Sequence, residues 1–173
     1  MRPTCMAALT NPLLARIDGL YDFFVRISSH LQSVLLFAIR YIWGIQLMQA
    51  GVGKLLNIDT PISYFTQLGI PFPVENAWLV ASTETFGGMF LAFGLLSRLT
   101  AIPLIINFIV AYITTEQKAL GELLQLNTDD FFGAAPFLFL FAAVIVLAFG
   151  PGAYSVDYLL TLSRGKEWKG VGL

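Results

Sequence analysis

Charge is scarce in this chain. Only 12% of its 173 residues are Asp, Glu, Lys or Arg, while 57% are hydrophobic. Soluble domains carry about twice that share of charge. The mean hydropathy is +0.74. A water-soluble core of one domain cannot hide so many apolar side chains, whereas lipid can. Cysteine and histidine are scarcer still, with one of each, Cys5 and His30. A thiol–disulfide relay needs two cysteines within reach, so the chain alone cannot run one. One histidine excludes a bis-histidine haem and argues against a multi-histidine metal site, so no metal ligand set is expected. The net charge of -1 supplies no basic field for nucleic acid, so that class of partner is not expected either. Residues 1–30 carry charges throughout, which predicts no cleaved leader. Cys5 reads as a free thiol in a tail.

What is present is apolar length. A bilayer requires about 20 residues of helix. Four stretches approach that: Leu31–Gly51, Ala77–Leu96, Thr100–Thr115 and Phe131–Phe149. They predict an all-α fold, an integral membrane four-helix bundle spanning residues 31–153. Ahead of it lie a tail and an N-terminal amphipathic helix (1–30), and behind it a C-terminal tail (154–173). Asn11-Pro12 reads as an N-cap followed by proline at the first helical position. Leu13, Ile17, Leu20, Tyr21 and Phe24 then recur at helical spacing, with Asp18, Asp22 and Arg26 opposite. This predicts an interfacial helix over 11–29, lying on the membrane surface. A short helix is predicted from Asp59-Thr60-Pro61 to Leu68, with Gly69 at its left-handed C-terminal position. It is expected to lie across the outer mouth of the bundle.

Basic residues predict orientation. Arg2, Arg16, Arg26, Arg98, Arg164, Lys166 and Lys169 fall on one side of the four stretches. Lys54 and Lys118 fall on the other, with Asp59, Glu75, Glu116, Glu122, Asp129 and Asp130. Both termini are therefore expected in the cytoplasm, in a bacterial-type inner membrane.

The informative residues are those that lipid disfavours. Arg40 lies in the first stretch, Glu84 in the second and Asn107 in the third. An arginine at the centre of a span costs roughly 2.5–3.5 kcal/mol on insertion scales, so such residues need partners. Arg40, Gly44, Leu47, Gly51 and Lys54 share one stripe; Glu84, Gly87, Gly88, Leu91, Leu95 and Arg98 share another. Glycines let membrane helices approach closely, so the stripes are expected to face each other. Counted from His30 and Arg98, Arg40 lies about 15 Å deep and Glu84 about 21 Å. An Arg40–Glu84 ion pair is the expectation, with Asn107 as a third polar group. It serves either as a structural strut or as the lining of a pocket for a polar head group or protons. Trp43, Phe86, Phe90, Phe93 and Phe108 are candidate walls for a quinone ring, although such aromatics commonly serve packing. Trp78 and Tyr112 read as interfacial belt residues.

Four segments carry a family resemblance. They are Arg40-Tyr-Ile-Trp-Gly44 with Gln49-Ala-Gly51-Val-Gly53-Lys54-Leu55; Phe65-Thr-Gln-Leu-Gly69-Ile-Pro71-Phe-Pro73; Glu84-Thr-Phe-Gly87-Gly88 with Leu91, Gly94 and Arg98; and Gly150-Pro-Gly152-Ala-Tyr-Ser155-Val-Asp157. In order and spacing they resemble the DoxX family over roughly residues 31–160. The resemblance implies a four-helix membrane bundle. A related DoxD branch serves as a membrane subunit of thiosulfate:quinone oxidoreductase. By that resemblance Arg40 and Glu84 form the polar core, with Lys54 and Arg98 at its two ends. Segment 11–29 departs from the shortest family members and leaves room for a cytoplasmic partner.

Three functions follow as expectations. The first is a redox-linked membrane subunit with a quinone or other amphiphile pocket. No covalently bound cofactor is expected, and electrons come from a partner protein, because the chain has no complete catalytic constellation. The second is a non-catalytic assembly or anchoring subunit. The third, a small-molecule transporter, is the weakest, since no inverted repeat is visible. A protein partner or a second copy is expected beside the lipid.

Overall fold

A computed structural model describes residues 12–124, 126 and 128–165, and their side chains apart from 12–18, 26 and 124. Cys5, Arg2, Lys166 and Lys169 lie outside the described residues, as do the side chains of Arg16 and Arg26. Every regular element described is helical: α1 (Pro12–Leu56), α2 (Asp59–Gln67), α3 (Pro73–Phe93), α4 (Ser97–Thr114), α5 (Gln117–Leu124), α6 (Asp129–Gly133), α7 (Ala135–Phe149) and α8 (Val156–Ser163). Helices α1 and α4 are long and apolar enough to cross a membrane, and α7 is a shorter apolar helix.

The first expectation to be corrected is the separate interfacial helix. Helix α1 runs unbroken for 45 residues, about 67 Å at 1.5 Å per residue. Between Gly19 and Gly44 the sequence has neither glycine nor proline, so nothing interrupts the backbone ladder. The fourth apolar stretch is divided instead. Pro136 has no N–H to continue a helix from α6, and Ala134 turns extended (φ -66°, ψ 138°). Pro103 is accommodated inside α4.

The turns follow local chemistry. Helix α2 ends as expected at Gly69 (φ 68°). Gly69 donates to Thr66 O and Ile70 to Phe65 O, the paired bonds of a Schellman cap. Helix α3 ends the same way at Gly94 (φ 70°), with Leu95 donating to Phe90 O. Leu96 then takes a left-handed conformation (φ 47°) unusual for a branched side chain, and α4 begins.

Helix α3 packs along α1, α4 packs on α3, and α7 closes against α4 and α1. Leu47, Leu91, Leu104, Phe108, Ala143 and Val146 meet at the centre, one or two from each of these helices. Helices α1 and α3 touch backbone to backbone. A Cβ on Gly44 would lie 2.8 Å from Gly88 O, and one on Gly88 would lie 2.5 Å from Met48 N. Gly51 sits equally tight against Ala81 and Thr85. The facing of the glycine stripes therefore holds for Gly44, Gly51 and Gly88. Gly87 points elsewhere and makes room for Leu104 of α4.

This close contact makes a direct prediction. Gly88→Ala forces the α1–α3 backbones apart and should cost about 1–3 kcal/mol, the usual range for overpacking. Gly53→Ala, where an added Cβ meets nothing within 4 Å, should be neutral or slightly stabilising. Thermal unfolding in mild detergent compares the two. Equal melting temperatures would show that the glycine seam does not govern packing.

Candidate functional site

The α1–α3 register decides which polar groups meet. Gly44 lies beside Gly88 and Ala92, and Gly51 beside Ala81 and Thr85, so the helices run antiparallel. Lys54 follows Gly51 by one turn, on the same stripe. Its Nζ donates to both carboxylate oxygens of Glu84, at 2.6 Å each. Glu84 is buried, while the Lys54 side chain keeps about a third of its surface open. From α4, Asn107 Nδ2 approaches Glu84 Oε1 at 3.5 Å, a long bond. Three helices thus converge on one carboxylate.

Arg40 is not part of this cluster, which corrects the expected Arg40–Glu84 pair. It lies fourteen residues before Lys54 along α1, about 21 Å away by helical rise. In the observed register Arg40 stands level with Gly94, ten residues past Glu84 along α3, about 15 Å away by helical rise.

At its own level Arg40 is fully buried. Nη2 donates to Tyr154 O at 2.5 Å, and Nε to Leu36 O at 3.4 Å. The guanidinium sits 6.0 Å from the centre of the Phe37 ring. Nη1 rests against Gly94, where any Cβ would collide with it, and has no hydrogen-bond partner among the described residues. Asp157 is the carboxylate whose charge acts on Arg40. It accepts from Leu96 N–H (2.7 Å), Ser97 N–H (2.9 Å) and Ser97 Oγ (3.0 Å). Its own N–H donates to Gly94 O at 3.0 Å. A negative charge at the N-terminus of α4 also suits the helix dipole. Ser155 caps α8 by accepting from Tyr158 N–H. The segment 150–157 is therefore a clasp across the end of α1, α3 and α4, not the start of a loose tail. Its glycines Gly150 (φ 81°) and Gly152 (φ 75°) supply the left-handed turns it needs. Arg98 is exposed at this end, and its guanidinium lies beside Gly150.

Of the five candidates read from sequence, the structure gathers Lys54, Glu84 and Asn107 and leaves Arg40 and Arg98 at the clasp. Sequence reasoning missed Tyr154 and Gly94 as neighbours of the buried charge, and Asp157 with Ser97 as the tie beside it. The available signal was an acid in the first turn of a short helix that follows Gly-Pro-Gly.

The aromatic candidates also divide. Phe86 and Phe90 line an apolar groove of about 380 Å³ between α3 and α4, with Gly87, Thr100 and Pro103. Phe108 stacks on Phe139 at 5.6 Å, and Trp43 meets the edge of the same ring at 6.0 Å. Phe93 is exposed. Trp78 is half exposed, as a belt residue requires. Tyr112 is buried and donates its hydroxyl to Phe131 O at 2.9 Å, so it is a structural tie. In α5, Lys118 stands 3.5 Å from Glu122 and 3.6 Å from Asp130. Glu122 first, then Asp130, holds its ammonium above the ordinary lysine range. Such exposed pairs contribute little stability.

Long apolar helices with charges gathered at helix interfaces define a helical membrane protein. The comparisons then settle the family: the chain belongs to DoxX. Its residues 35–117 match the DoxX family model. It is 30% identical over 129 residues to "Uncharacterized membrane protein Rv3486" of Mycobacterium tuberculosis, covering 71% of this chain and 79% of that one. It is 31% identical over 81 residues to "Putative oxidoreductase CatD" of Bacillus subtilis, covering 47% of this chain and 59% of that one. No solved structure matches. The family match contains Arg40, Lys54, Glu84 and Asn107 but stops before Asp157.

The geometry predicts a specific pattern of coupling. In a double-mutant cycle, Lys54→Met and Glu84→Gln should couple by about 0.5–3 kcal/mol, as residues sharing one network do. Arg40→Met and Glu84→Gln should add. Chemical or thermal unfolding in detergent reads both cycles. Coupling in the second cycle and none in the first would reverse the assignment.

Proposed function

We propose that this protein is a small membrane subunit of a redox-linked complex, holding the polar head of a quinone-class amphiphile at Lys54, Glu84 and Asn107. One observation carries the reading: a buried carboxylate takes two bonds from a lysine that stays partly open. An ammonium has three donors. Two are given to Glu84, which leaves one N–H, and the Asn107 amide is only loosely engaged. Two such donors suit the carbonyl oxygens of a quinone ring. Glu84 holds the lysine in place. The CatD likeness points the same way, as far as its printed name reaches. Electrons would pass to or from a partner protein, since the chain offers no redox group of its own. A non-catalytic anchoring subunit is the competing reading, favoured by the bonds of Tyr154 and Asp157 that close the clasp.

In this reading α1, α3, α4 and α7 all cross an inner membrane as a four-helix bundle, with both termini in the cytoplasm. The support is the charge distribution. Arg98 and Arg164 lie toward the clasp, and Asp59, Glu75, Asp129 and Asp130 lie toward α2 and α6. A cysteine placed at the exposed Thr66 of α2, in a Cys5→Ser background, should react with an impermeant maleimide added outside whole cells. Reaction only after lysis would invert the topology.

Binding is tested with a short-chain naphthoquinone titrated into detergent-solubilised protein, followed by quenching of tryptophan fluorescence. Lys54→Met and Asn107→Leu should each weaken binding about tenfold, the effect of one lost hydrogen bond to a charged or buried group. Arg98→Gln, at the other end, should bind normally. Saturable binding that survives both substitutions would place the ligand elsewhere. No binding by the unmodified protein would favour the anchoring role.

A further inference from the structure

The groove between α3 and α4 has a volume of about 380 Å³. Small-molecule sites span about 300–1,000 Å³. One end lies at Leu96 and Leu99, beside the α3–α4 junction, and the other at Ser82 and Thr83. Helical hydroxyls commonly return to the carbonyl one turn back. Thr85 does so to Ala81 O at 2.8 Å, and Thr114 to Val110 O at 2.8 Å. Ser82 and Thr83 do not. Neither hydroxyl makes a hydrogen bond among the described residues.

The groove leads to the polar cluster. On α4, Leu96, Thr100, Pro103 and Asn107 follow one another at spacings of four, three and four, so they share one face. The first three line the groove. Asn107 is the next step on that face and reaches Glu84 Oε1 at 3.5 Å. It is therefore common to the groove and the cluster.

Depth narrows the occupant. Helix α3 has 21 residues, about 31 Å by helical rise, and a bilayer's hydrocarbon core is about 30 Å thick. Ser82 and Thr83 stand at the middle of α3. A phospholipid keeps its ester oxygens at the interface. In this groove it would lay only methylenes against two unengaged hydroxyls, which hydrocarbon leaves unsatisfied. An amphiphile that carries a polar ring to mid-depth on an apolar tail matches both ends. Phe86, Leu96 and Leu99 are each more than half exposed along the rim, so the groove opens toward lipid.

We propose that this groove holds the tail of a prenylated quinone, which enters sideways from the bilayer and brings its ring to Asn107, beside Ser82 and Thr83. The proposal rests on the quinone reading and adds the substrate class: a tailed, membrane-borne quinone, not a free ring. The tail lies against Phe86 and Phe90 and runs toward Leu96 and Leu99.

The test uses the full chain in phosphatidylcholine nanodiscs and two photoreactive probes. One is a naphthoquinone whose decyl tail ends in a diazirine; the other is a fatty acid of equal length with the same diazirine. On irradiation the quinone probe should label the peptide containing Leu96 and Leu99, and an excess of untailed naphthoquinone should remove most of that label. Tryptophan quenching then compares tailed and untailed rings. Phe90→Ala should weaken the tailed ring about tenfold more than the untailed one, because an apolar wall is lost. Comparing variant with unmodified protein for each probe cancels partition into the lipid. Leu99→Ala, at the exposed rim, repeats the measurement should Phe90→Ala fold poorly, with a differential loss of about threefold. Equal labelling of that peptide by both probes, undisplaced by the untailed ring, would make the groove a lipid slot and overturn the proposal while the quinone reading stands. Displaceable label found only elsewhere would overturn it in the same way, as would equal losses of tailed and untailed binding. No saturable quenching by either ring would defeat the quinone reading itself, and the proposal with it.

Discussion

The backbone contact between α1 and α3 sets everything else. Gly44, Gly51 and Gly88 remove the side chains that would hold two helices apart, and the register then has little freedom. In that register Lys54 reaches Glu84, and Arg40 arrives level with Gly94. In lipid there is no hydrophobic force to draw helices together, so close packing and polar bonds must do so. The glycine seam supplies the first. The two ends of the seam supply the second.

The two ends solve different problems. At one, a buried carboxylate is met by a lysine on a neighbouring helix, and donors remain for a further group. At the other, a fully buried arginine donates to carbonyl oxygens of Leu36 and Tyr154. Asp157 spends its hydrogen bonds on the first residues of α4 and also holds Leu96 in its left-handed turn. The clasp thus ties the chain's last described helix to the junction of α3 and α4. A lysine that stays partly open beside a buried carboxylate is the physical basis for seeking a ligand near Glu84.

Helix α1 joins the two ends. It is more than twice as long as any other described helix, and its extra length carries exposed apolar surface. A single helix therefore links the polar cluster and the clasp.

Much of this was legible in the sequence because it depends on local rules. Scarce charge and long apolar runs determine a helical membrane protein, and the ordered motifs carried the resemblance to DoxX. Gly69 announced its turn through backbone restrictions that act within a few residues. Glu84 and Asn107 were recognisable as residues that lipid disfavours, and Lys54 as the polar end of the Arg40 stripe. Their partners were not, because pairing depends on helix register, and a slide of one or two turns preserves every periodicity while exchanging every partner. Only the tertiary structure decided that Lys54 and not Arg40 meets Glu84. It alone showed that a distant aspartate, ordinary in the sequence, ties α8 to the junction of α3 and α4. The unbroken course of α1 was likewise invisible to periodicity. An apolar stripe reads the same whether it lies on a membrane, crosses one or awaits another helix, and the difference rests on what the rest of the chain packs against it.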